Sequence, residues 1–121
     1  MANTFKVVTF AAEPASAGTP YKMYTVAGST TTVVLGLILT NIHSSAVTVE
    51  VELVSNTGSR GGDNDVTNTT SFLVKDVDIP AKSSLELLSG GKVVLETTDE
   101  IKIDCSVTDK VSGTLSIMEI T

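Results

Sequence analysis

The stretch "TVAGSTTTVVLGLILTN", residues 25–41, is the most apolar part of the chain, and its reading decides the fold. Its uninterrupted apolar run covers only residues 33–39. A membrane-spanning helix needs about 20 such residues, so the run is too short to be one. A buried helix would fit by length, but Thr30, Thr31 and Thr32 lead into Val33 and Val34. β-Branched residues in series lose rotamer freedom in a helix and pack well on a pleated sheet. Gly28 supplies a turn upstream, and Gly36 sits inside the run. These features predict a strand, central in its sheet and covered on both faces.

Downstream, "AVTVEVELV" alternates with a period of two: Val47, Val49, Val51 and Leu53 against Thr48, Glu50 and Glu52. That is a strand with one dry and one wet face. The short polar "NIHSS" between the two runs predicts a hairpin. Similar strands read over residues 4–10, 21–26, 71–79, 85–88, 92–97, 100–107 and 112–120, separated by segments rich in Gly, Pro and Ser. Ile101, Ile103, Cys105 and Val107 form another alternating face. No window favours a helix. The expectation is all-β: one domain over residues 1–121, an antiparallel sandwich of jelly-roll type with eight or nine strands.

Composition narrows the function. The 121 residues suit one core, and with aromatics at 4% and no Trp that core must be Val, Leu and Ile. A net charge of -6 and a pI near 4.5 argue against nucleic acid or an anionic membrane as partner. A lone cysteine, Cys105, forms no internal disulfide. "MANTFKVVTF" has neither a basic n-region nor a long apolar segment, so the protein is expected to be made in the cytoplasm without a signal peptide.

No catalytic constellation emerges, and the expectation is a non-enzyme with no catalytic, cofactor or metal site. His43, the only histidine, has no neighbouring ligand in sequence and reads as a solvated turn residue. Cys105 reads as a small buried hydrophobe. "SGGK" (89–92) matches an acyl-enzyme pattern, but between strands rather than at a helix start. Asp63, Asn64, Asp65 and Asn68 offer oxygen ligands without EF-hand spacing, so the polar segment 55–70 reads as a solvated, mobile loop. "RGGD" (60–63) and the sequon "NTT" (68–70) carry no weight. Asp76 and Asp78 share a strand face and read as solvent-facing. Phe5, Phe10 and Phe72 fall in strand patterns that read as core. Tyr21 and Tyr24 point to opposite faces, leaving no aromatic platform for sugars or bases.

Two segments carry a resemblance. "YTVAGSTTTVVLGLILTNIHSSAVTVEVELV" (24–54) and "IPAKSSLELLSGGKVVLETTDEIKI" (79–103) resemble small β-sandwich virion proteins of tailed bacteriophages. The resemblance implies a structural protein of the virion, on the capsid surface or at the tail, and the expectation is a capsid decoration or cement protein docking on the major capsid protein. A tail- or fibre-associated module binding a host receptor or glycan is the alternative. The chain departs from the pattern in reading "TVAG", where such sequences carry a proline before the Ala-Gly.

Mean hydropathy is +0.27 with 41% hydrophobic residues. Residues 33–39 carry apolar groups on both faces, as do Phe72, Leu73, Val74, Val77 and Ile79. A two-sheet sandwich hides only its inner faces. The surplus predicts a homo-oligomer, and the phage resemblance favours a trimer.

Overall fold

The computed structural model describes residues 2–56, 70–88 and 90–121. Among them lie nine strands and no helix: β1 (Asn3–Glu13), β2 (Tyr21–Thr25), β3 (Thr31–Asn41), β4 (Val47–Val54), β5 (Thr70–Ile79), β6 (Ser84–Leu87), β7 (Val93–Leu95), β8 (Glu100–Cys105) and β9 (Val111–Ile120). One sheet has the order β1-β9-β3-β6, with β7 also on β3; the other runs β2-β8-β4-β5. Every pairing is antiparallel. β6 and β7 lie end to end along β3, opposite Leu37–Thr40 and Thr32–Val34 respectively. Counted as one interrupted edge strand, they complete the eight-stranded jelly-roll wiring. Between them the Gly91 N–H donates to the Leu88 carbonyl at 3.1 Å. Gly90 sits at φ +78 there, a conformation open to glycine at little cost.

The expected hairpin between residues 33–39 and 47–53 does not form. β3 and β4 belong to different sheets, and "NIHSS" is an arch between them. Only β4–β5 and β6–β7 are consecutive strands within one sheet. A short polar turn is required by arch and hairpin alike, so turn length could not separate them.

β3 is central, as expected, but it is not covered on both faces. Thr32 and Val34 point inward; a bulge at Val34/Gly36 against β9 then shifts the phase, and Leu37, Leu39 and Asn41 point inward instead. The unbroken apolar run is therefore a period-two strand with one slip. The inward set packs with Val47, Val49, Val51, Ile101, Ile103, Leu115 and Ile117 into a core of aliphatic side chains. Burying each such side chain contributes about 1.5–3 kcal/mol.

At one end of the sandwich the sheets are clasped by polar groups. The Tyr24 hydroxyl on β2 lies 2.7 Å from Thr32 Oγ1 and donates to Glu119 Oε2 at 2.6 Å, both on the opposite sheet. Lys6 Nζ pairs with Glu119 Oε1 at 2.7 Å. Burial, then the bond to the Glu119 carboxylate, pushes the Tyr24 phenol up to about 12. Lys6, then Tyr24, holds the Glu119 carboxyl below the usual range. The folded state thus binds its Glu119 proton more weakly than the unfolded chain does. That stability is present above the unfolded pKa and is lost as pH falls through the folded one. For Tyr24 the sense is opposite: stability falls as pH rises from 10 towards 12. Tyr24→Phe is expected to cost about 1–2 kcal/mol, since it leaves the buried Thr32 hydroxyl without its partner. It should also flatten the alkaline limb of a stability-versus-pH profile in urea. An unchanged alkaline limb would refute the clasp.

Candidate functional site

The outer faces of the two sheets differ in chemistry. On the β1-β9-β3 sheet, register places Phe5, Met118, Val33 and Val94 side by side in one row across four strands. Phe5 is 71% exposed, Val7 63% and Val94 60%. Met118, Val33 and Leu35 are partly buried and are not among the residues packed against the core. The remaining outward positions of β1, β9 and β3 are filled by residues such as Thr9, Thr114, Ser116 and Thr31, and none is charged. Glu86, on the edge strand opposite Ile38, is a charge on an outward position beside this face.

The outer face of the β2-β8-β4-β5 sheet is a charged lattice. Lys22 and Lys102 flank Glu100 at 3.6 and 3.9 Å, and Lys75 reaches Glu50 at 2.7 Å and Asp76 at 3.9 Å. Lys75 also lies 4.6 Å above the ring of Phe72. Two bulges in β5 create this arrangement, one with Asp76 at φ +52. A pocket of about 310 Å³ opens on this face, lined by Ala17, Gly18, Thr48, Glu50, Asp76, Asp104, Cys105 and Ser106. Its polar groups are mostly engaged. Asp104 Oδ1 accepts from the Gly18 and Cys105 amides at 3.1 and 2.8 Å, and Ser106 Oγ accepts from Thr48 N–H at 3.0 Å. Among the described residues no cluster of three or more His, Cys, Asp or Glu could hold a metal ion.

The residues singled out by sequence scatter. His43 stands in the β3–β4 arch, where its backbone N–H donates to Asn41 Oδ1 at 2.7 Å. Cys105 is buried, and burial raises its thiol pKa. Asp76 lines the pocket and Asp78 does not; both are exposed. Lys92 directly precedes β7, and Ser89 of the "SGGK" match lies outside the described residues. The calcium reading of Asp63, Asn64, Asp65 and Asn68, the "RGGD" segment, most of the sequon and the expected mobility of 55–70 fall outside the described residues.

Two aromatic expectations are corrected. Only Phe10 is core; Phe5 and Phe72 face outward at 71% and 46% exposure. Alternation alone does not say which parity faces in, and on β1 it is Val8 and Phe10 that do. Tyr21 and Tyr24 both pack against the core, because a bulge between Lys22 and Tyr24 brings the two into phase opposite Ile103 and Ile101. Sequence reading missed the charge-free face itself. Its signal was there: residues 31–41 and 111–118 hold no charged residue.

No family model matches this chain, and none of the curated proteins does. Among solved structures it is similar to a chain in the structure of infectious bursal disease virus Gx strain, with 13% identity and a TM-score of 0.49. The match covers 96% of this chain and 32% of that one, so this chain spans about a third of the other's length. A likeness of that degree says nothing of what this chain does.

Proposed function

We propose that the protein is a non-enzymatic structural component of a virus particle, a capsid decoration or cement protein of a tailed phage. The observation that carries this reading is the charge-free apolar outer face of the β1-β9-β3 sheet, opposite a face dense in ion pairs. An assembly subunit needs one face to dock and one to stay hydrated, and a contiguous exposed apolar patch marks an interaction surface. The jelly roll serves capsids and lectins alike, so the fold by itself does not choose between them. The lectin-like alternative, a fibre module holding a glycan, would use the pocket at Glu50, Asp76 and Asp104. That pocket offers no aromatic platform. The docking partners on this reading are further copies of the chain and the major capsid protein.

The test is quantitative mass spectrometry of purified particles of the virus that encodes the chain. Hundreds of copies per particle are expected. A handful would favour the fibre module, and absence from the particle would overturn the virion role.

A further inference from the structure

We propose that the charge-free face is where two copies of this chain pair, sheet on sheet, about a two-fold axis lying parallel to the strands. The inference deepens the assembly reading and rests on it for the choice of face. It replaces the three-fold arrangement implied by the sequence resemblance.

Charge selects the occupant. Each copy carries a net charge of -6, so two copies repel wherever their charged surfaces meet. The outward positions of β1, β9 and β3 hold no charge, so two copies apposed there juxtapose no like charges. A face without ionic groups also offers no electrostatic address for a charged foreign partner. Area agrees. The three charge-free strands, about 4.8 Å apart over about eight residues, together with the three residues of β7, give a footprint of roughly 400 Å² per copy. Covering it on both copies removes about 800 Å² of footprint, the size of a weak pair that forms at micromolar concentration rather than of an obligate one.

The row across the sheet sets the symmetry. It reads Phe5, Met118, Val33, Val94 from one edge to the other. An axis parallel to the strands brings each side of the row over the opposite side of the partner's row. The large Phe5 ring then meets the small Val94 of the second copy, and Met118 meets Val33. The perpendicular in-plane axis would stack Phe5 on Phe5 and leave Val94 against Val94. A flat patch that complements itself closes at two copies.

Sedimentation velocity of the purified chain at tens of micromolar should give twice the 12.6 kDa mass. Phe5→Asp and Val94→Lys, both at exposed positions, should each give monomers with unchanged circular dichroism. Phe72→Asp, on the other sheet, should leave the pair intact. The combination of Phe5→Asp with Val94→Lys should restore pairing, because the strand-parallel axis sets each new carboxylate over the partner's new ammonium. A wild-type monomer, a mass of three chains, or a Phe5→Asp protein that still pairs would overturn the proposal. Failure of the double variant to pair would overturn the axis. A wild-type monomer present in hundreds of copies per particle would sink the pair and leave the decoration role standing.

Discussion

Gly113→Val is expected to lower stability by about 3 kcal/mol or more, enough to unfold a large share of the molecules. Gly113 lies on the inner face of β9, directly opposite Phe10 of β1 in the register. The Phe10 ring lies across the glycine, and a Cβ built at that position would overlap its ring carbons. The ring cannot simply swing aside, because it packs edge-to-face on Tyr21 of the opposite sheet, with centroids 5.2 Å apart and planes at 65°. Room for a side chain at 113 and room for the ring are therefore the same room. Phe10→Ala alone should cost about 3–5 kcal/mol through the cavity it leaves. Combined with Gly113→Ala, the loss should fall short of the sum by at least about 1 kcal/mol, since the new methyl fills part of that cavity. Urea denaturation of the two single variants and the double variant measures this directly. Strict additivity would show that the ring does not depend on the glycine.

Asn41→Ala is the second substitution with a large expected cost, about 2–4 kcal/mol. Asn41 ends β3 fully buried, and its side chain ties the β3–β4 arch to the end of β5. Nδ2 donates to the carbonyls of Ser45, Ile79 and Pro80 at 3.0, 2.9 and 3.2 Å, while Oδ1 accepts from His43 N–H at 2.7 Å. Its own backbone N–H donates to the Ser83 carbonyl at 2.8 Å. Truncation keeps that backbone bond but strips the four side-chain bonds from a site where Asn41 itself has no access to water. Asn41→Asp separates the donor from the acceptor role. It keeps the acceptor for His43 but turns a carboxylate towards three carbonyl oxygens, so at neutral pH it should be worse than alanine. Protonating that carboxylate removes the repulsion, so the gap between the two variants should narrow as pH falls. If Asp is tolerated at neutral pH, the amide is not holding the corner.

Much of this architecture was legible because β alternation survives in the local sequence. Val47–Val49–Val51 and Ile101–Ile103–Cys105 face inward as their spacing implies. What was not legible depends on bulges and on wiring. The slips at Val34/Gly36 and between Lys22 and Tyr24 reverse which residues face the core; Gly36 is the residue type that marks a bulge, whereas nothing in the residue types announces the slip in β2. "NIHSS" makes an arch rather than a hairpin because the neighbours of β3 come from residues far away in the chain. The charge-free face was harder still. It is assembled from the outward positions of β1, β9, β3 and β7, of which only β3 reads by itself as apolar on both faces.

The place of β9 between β1 and β3 governs when the protein can fold. β1 is made first of the nine strands and β9 last, yet β9 is the strand that joins β1 to the rest of its sheet. At about 5–20 residues per second, β1 and β3 wait several seconds or more on the ribosome with their β9-facing edges open. Closing so long a loop is entropically slow, and folding dominated by distant strand pairs takes milliseconds to seconds even from the complete chain. Throughout that interval β3 presents "TTVVLGLILT", a β-prone segment without charge or proline, to any other nascent chain. The yield of folded protein is therefore set by how quickly β9 reaches its slot rather than by the stability of the finished sandwich. Slower initiation and lower temperature, which keep nascent chains apart, act on that step.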